Sequence, residues 1–217
     1  MNYGVYYNYK TIGDILIIEF LPNEYPNKIE RKDDCVALYR DDKLVGINIF
    51  NISEIVKIKA NGYIPVLEEH VLKIINFKLE NAGFPILEIK EGSGFKVSEI
   101  VDIEEHPESD HLHICKVNTG KEELQIVCGA FNAKKGLKCV CATPYTFMPD
   151  GKQIVSGKLL KIESNGMLCS GRELHLEGYE NIHGLLELDD SYKIGDDFFL
   201  NWFLKLILNK LFFVLDN

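Results

Sequence analysis

Hydrophobic positions in the first half of the chain come in short runs before they settle into a helical period. DILIIEFL (Asp14 to Leu21), CVALYR (Cys35 to Arg40) and LVGINIF (Leu44 to Phe50) are β-branched or alternating, the pattern of half-buried strands. Asp41 and Asp42, between the last two runs, signal a tight turn and predict a hairpin. From Pro65 the spacing changes: Val66, Leu67, Val71, Leu72, Ile75 and Leu79 recur on one stripe, with a proline at the first turn and Gly83 at the end. One amphipathic helix covering one face of the sheet is expected. Residues 1–92 therefore read as a small α/β domain, the first half of an α+β chain, with no evident chemistry; His70 is a lone helical histidine.

Gly92, Ser93 and Gly94 interrupt the pattern and mark a linker. Beyond it, FKVSEIVDIEEHP, HLHICKVNTG, EELQIVCGA, GLKCVCATP, KQIVSGKLLKIESNG and HGLLELDD read as about six short strands separated by turn residues. Even spacing with little helical material predicts a small, closed or nearly closed barrel over residues 93–199. Residues 200–217 form a hydrophobic tail read as helical: in FFLNWFLKLILNKLFFVL only Asn201, Lys205, Asn209 and Lys210 are polar, on one narrow stripe. Three readings stay open for it: packing on its own protein or a partner, membrane association through residues 199–217, or an unnatural end.

The 217 residues are 46% hydrophobic and 26% charged, which excludes a disordered or fibrous chain. Lys and Arg total 24 against 33 Asp and Glu, a net charge of −9, which argues against indiscriminate coating of nucleic acid. The distribution changes that picture. From Lys134 to Arg172 there are seven basic residues and two acidic ones; from Glu173 to Asp197 there are eight acidic residues and one lysine. A cationic strip beside an acidic stretch is expected. The N-terminus lacks the features of a signal or transit peptide, so a cytoplasmic protein is expected, with its six cysteines reduced and in the core.

Four ordered motifs carry a resemblance: HPESDHL from His106, LQIVCGAFN from Leu124, PDGKQI from Pro149 and SNGMLCSGREL from Ser164. Their order and spacing resemble the OB-fold tRNA-binding module of the bacterial phenylalanyl-tRNA synthetase β-subunit, of methionyl-tRNA synthetase tails and of stand-alone tRNA-binding proteins. With the α/β unit in front, the whole chain resembles the YtpR family of small bacterial tRNA-binding-domain proteins. The resemblance implies an all-β OB-fold barrel and a non-catalytic protein that binds tRNA or structured RNA, with no cofactor. An OB face holds RNA with cations on phosphates and flat side chains on unpaired bases.

The cations read as RNA contacts are Lys134, Lys135, Lys138, Lys158, Lys161 and Arg172. Phe131, Tyr145 and Phe147 are the aromatics near them, each either stacking on a base or packing in the fold. Asn132 and Ser164 either contact a base or 2′-hydroxyl or cap turns; Met167 either touches a base or plugs the barrel end. His106 and Pro107 are expected to close the first barrel strand, with Asp110 capping the turn. Three positions depart from the family pattern: His111, Phe131 where Pro is common, and Gly171 after C-S. An enzyme is the first rival. Cys128, Cys139, Cys141 and Cys169 offer thiolates for zinc, but no C-x-x-C pair, phosphate-binding glycine loop or nucleophile motif accompanies them. The second is a protein-interaction or homodimerisation module attached to the translation machinery.

Overall fold

The computed structural model describes residues 2–205. Strands β1 (Gly4–Tyr7), β2 (Ile15–Glu19), β3 (Lys28–Lys32), β4 (Cys35–Arg40), β5 (Lys43–Phe50) and β6 (Gly62–Tyr63), with the short helix α1 (Tyr9–Ile12) and the longer α2 (Glu69–Asn81), precede the linker. The six strands form one antiparallel sheet in the order β3-β4-β5-β2-β1-β6. The expected hairpin is β4–β5, and Asp41 and Asp42 turn it with φ of +47° and +64°, the left-handed pair that a two-residue turn needs.

The stripe of α2 buries Val71, Leu72, Ile75 and Leu79 in a core with Leu16, Ile18, Ile47 and Ile49. Each such side chain contributes roughly 1.5–3 kcal/mol on burial. Val66 and Leu67, expected on the same stripe, precede the first turn. Three strands, β1, β3 and β6, were not expected from the pattern. β3 reads KIERK and is exposed at every position, so nothing in its polarity announces it; it is held by backbone pairing to β4.

The second unit contains β7 (Phe95–Glu105), β8 (His113–Asn118), β9 (Glu123–Cys128), β10 (Lys138–Ala142), β11 (Gly157–Leu159), β12 (Ile162–Ser164) and β13 (Met167–Cys169). Compact units divide the chain at Glu91/Gly92, the first unit also taking in Pro149–Lys152. Five strands make one antiparallel sheet, β13-β10-β7-β8-β9, and β11 and β12 a separate two-stranded ribbon. The sheet curls until β13 comes back against β9, giving a half-barrel. An irregularity in β7 between Ile100 and Asp102 assists the bend: there Ile100 turns its backbone to Gly136 and Leu137, accepting at 2.7 Å and donating at 3.0 Å.

Inside the curl lie Ile100, Val117, Ile126, Cys115, Cys128, Cys139 and Cys141, and all six cysteines of the chain are free and buried. The run HGLLELDD, expected as a strand, is irregular. Its hydrophobicity has another cause: Leu185 and Leu186 are core residues, and the backbone bonds from it to the sheet are isolated ones, Leu186 to Cys169 and Leu188 to Lys138. Residues 198–205 are helical. Asp197 caps this helix through the Leu200 amide at 3.2 Å, and Phe198 and Phe199 are buried against Tyr192 and Phe95. The expected tail from residue 206 lies outside the described residues. Among the described residues no helix is long and apolar enough to cross a membrane.

Candidate nucleic-acid interface

The site residues read from the sequence fall into two groups. One follows β9 on the loop 129–137. There the Asn132 carboxamide mimics a strand partner for Leu185: its Oδ1 accepts the Leu185 amide at 2.8 Å, and its Nδ2 donates to the Leu185 carbonyl at 3.1 Å and to Glu187 Oε1 at 2.9 Å. All of these bonds hold the 184–187 segment to the barrel, so the amide is occupied by the protein. Phe131, beside it, is 79% exposed.

Lys134, Lys135 and Lys138 come next, and folding changes their electrostatics. The acidic stretch that follows Arg172 in sequence returns to the strip: Lys134 stands 3.9 Å from Glu187 and Lys138 3.3 Å from Asp190, while Lys135 meets Asp102 at 3.1 Å. The cationic strip and the acidic stretch expected beside it thus meet as ion pairs. Lys135 holds the Asp102 carboxyl below its ordinary range through a hydrogen bond and its charge. Lys134 and Lys135 remain 67% exposed, and such surface pairs are worth little, about 0–1 kcal/mol, so a phosphate can exchange for the carboxylate. Lys138 differs. Its side chain is 19% exposed, and it donates to the carbonyls of Asp189 and Tyr192 at 3.4 and 3.1 Å, which makes it an anchor for the 189–192 turn.

The other group surrounds the β11–β12 ribbon. Lys158 is exposed on β11, and among the described residues neither it nor the exposed Arg172, in the turn after β13, has an ion pair. Lys161, in the ribbon's turn, reaches Glu108 at 2.6 Å. Ser164 ends β12 and accepts the Val127 amide at 3.1 Å, while the Gln125 side chain donates to the Glu163 carbonyl at 2.8 Å and the Gln125 carbonyl accepts the Asn165 amide at 2.8 Å. The ribbon is thus fastened along the free edge of β9. Gly166 follows with φ +142°, and a β-carbon there would stand 3.0 Å from the Ala142 carbonyl oxygen and 3.1 Å from Ile126 Cδ1, so glycine permits the closure. Met167, on β13, pairs with Ala142 of β10 and is half-buried.

The two readings left open for the aromatics separate here: Phe147 is 1% exposed and packs in the core, whereas Tyr145 is 64% exposed. One expectation is corrected. The turn after β7 is capped by His106 and Ser109, not Asp110: His106 Nδ1 accepts the Glu108 amide at 3.1 Å and Ser109 Oγ the His111 amide at 3.2 Å. On the outer face of β7–β9, a shallow groove of about 280 Å³ is bordered by Asp102, Glu104 and Glu123, with Lys116 paired to Glu123 at 2.7 Å. That face is acidic. In the core, the Cys115 thiol lies beside Cys128; its hydrogen bond to Cys128 raises its own pKa and lowers that of Cys128, which also accepts the Ala130 amide. Among the described residues no group of three His, Cys, Asp or Glu side chains is placed to hold a metal.

Two family models match the chain. One, described as "Putative tRNA binding domain", covers residues 95–197, and the other, a domain of unknown function designated DUF4479, covers residues 22–87. The chain is 46% identical over 103 residues to the phenylalanine–tRNA ligase β subunit of Paramagnetospirillum magneticum, and 49% identical over 106 residues to that of Aromatoleum aromaticum. These matches take in 47% and 48% of the chain and 13% of each subunit. It is also 34% identical over 199 residues to the "Putative tRNA-binding protein YtpR" of Bacillus subtilis, a match covering 90% of the chain and 98% of that protein. With identity sustained over both units, the chain belongs to the YtpR family.

Proposed function

We propose that this protein is a non-catalytic binder of tRNA or similarly structured RNA, using the second unit as an OB-type barrel. The identity to a protein named for tRNA binding, sustained over 98% of its length, carries this reading. The electrostatics of the second unit support a particular version of it. The acidic groove outside β7–β9 repels a polyanion, so phosphates are assigned to the rim: Lys134 and Lys135 after β9, Lys158 and Lys161 on the ribbon, and Arg172 beyond β13. Asn132 and Lys138, occupied by the protein's own backbone, act indirectly by holding the segment 184–192. Few exposed cations on an acidic chain suit a modest affinity that depends on shape and unpaired bases more than on sequence.

Fluorescence anisotropy with labelled bulk tRNA, an unstructured RNA and duplex DNA of equal length tests this. Preference for tRNA at low salt is expected; equal or absent binding to all three contradicts it.

A further inference from the structure

Phe131 is an exposed aromatic that is nevertheless built in. Its 79% exposure leaves most of the ring open to solvent, yet one edge meets the backbone at Gly184. A β-carbon at Gly184 would stand 2.9 Å from Phe131 Cε1 and 2.7 Å from Asn132 Oδ1, closer than real β-carbons come, and Gly184 has φ +89°. Any side chain there would displace the ring and strain the backbone. The three bonds of Asn132 to Leu185 and Glu187 then fix this backbone against the residue that carries the ring's neighbour. Nothing in the core calls for this arrangement: an exposed phenyl ring gains little from burial it does not have. Three and four residues further along the same loop, the Lys134 and Lys135 side chains are 67% exposed, each in an exchangeable surface ion pair. A flat apolar ring on a loop that also carries two exchangeable cations matches one nucleotide, its base on the ring and its phosphate on a lysine.

We infer that Gly184 and Asn132 position Phe131 as a stacking platform for one unpaired base, a contact that rests on the RNA-binding reading above. Phe131 is the binding residue; Gly184 and Asn132 are positioning residues, acting through it.

The test is tRNA binding by the full chain, three single variants and one double variant. Phe131→Ala should weaken binding about 5- to 150-fold, the range for one lost base stack, while the salt slope stays unchanged because no phosphate contact is removed. Phe131→Trp should keep the affinity, and its emission, read as the difference from the parent chain with its single Trp202, should be quenched by tRNA. Gly184→Ala should fall to the level of Phe131→Ala, and the double variant should be no weaker than either single one. Thermal melts show which variants fold; if Gly184→Ala does not, the Phe131 variants decide the platform. Unchanged affinity in Phe131→Ala, or unquenched Trp emission in the bound state, overturns the platform. A fully active Gly184→Ala overturns the positioning role alone. Failure of the unaltered chain to bind tRNA overturns the RNA reading and this inference with it.

Discussion

Single residues divide here by what already holds them. Lys134 and Lys138 look alike in sequence, four residues apart in one basic strip, but Lys134 is 67% exposed and Lys138 is 19% exposed on two backbone carbonyls. Lys138→Ala is therefore expected to cost about 1–3 kcal/mol of stability, the penalty for leaving acceptors unsatisfied, against about 0–1 kcal/mol for Lys134→Ala; urea unfolding of both variants checks the contrast. Asp14 gives a pH prediction. Burial raises its carboxyl pKa, but hydrogen bonds from the Ser53 hydroxyl and amide and the Tyr7 hydroxyl outweigh that and lower it. A lowered folded pKa contributes stability that is present above the unfolded value of about 3.9 and is lost as pH falls through the folded value. The urea midpoint of the parent chain should drop over that acid window, and Asp14→Asn should flatten the drop; an equal drop in both contradicts the assignment.

Elements were legible where one face is buried and the period is clear. β2, β4, β5 and α2 follow their hydrophobic pattern because the pattern is what buries them. β3 escaped because all five residues are exposed, and HGLLELDD misled because two buried leucines imitate a strand while the segment is held from outside, by Asn132 and by isolated bonds to Cys169 and Lys138. The candidate site suffered the same limit. The residue types were readable, but the partners of Asn132 and Lys138 lie more than fifty residues away, where no local spacing records them. A curled sheet was expected from the strand spacing, but not the glycine that permits it: Gly166 looks like any turn glycine until Ala142 and Ile126 are placed beside it. Gly166→Ala should cost about 1–3 kcal/mol through its strained backbone. Loss of amide protection in β9 and β13 ahead of the rest of the barrel would locate that cost.

For the whole molecule, the net charge of −9 and the run of lysines first pointed in opposite directions. Folding reconciles them within the second unit: carboxylates from Asp102, Glu108, Glu187 and Asp190 sit among the cations, so the surface holds a few exchangeable positive charges beside an acidic groove. Weak, selective attraction to a polyanion is what such a surface supports. The most direct measurement is the dependence of tRNA affinity on salt for the parent chain and for Lys134→Ala/Lys135→Ala/Lys158→Ala, which leaves the anchor Lys138 in place. The parent is expected to bind at low salt with log affinity falling linearly with log salt, and the triple variant to bind more weakly with a slope flatter by roughly 0.7 to 0.9 per lost contact. An identical slope and affinity in the variant, or no binding by the parent at low salt, would contradict this expectation.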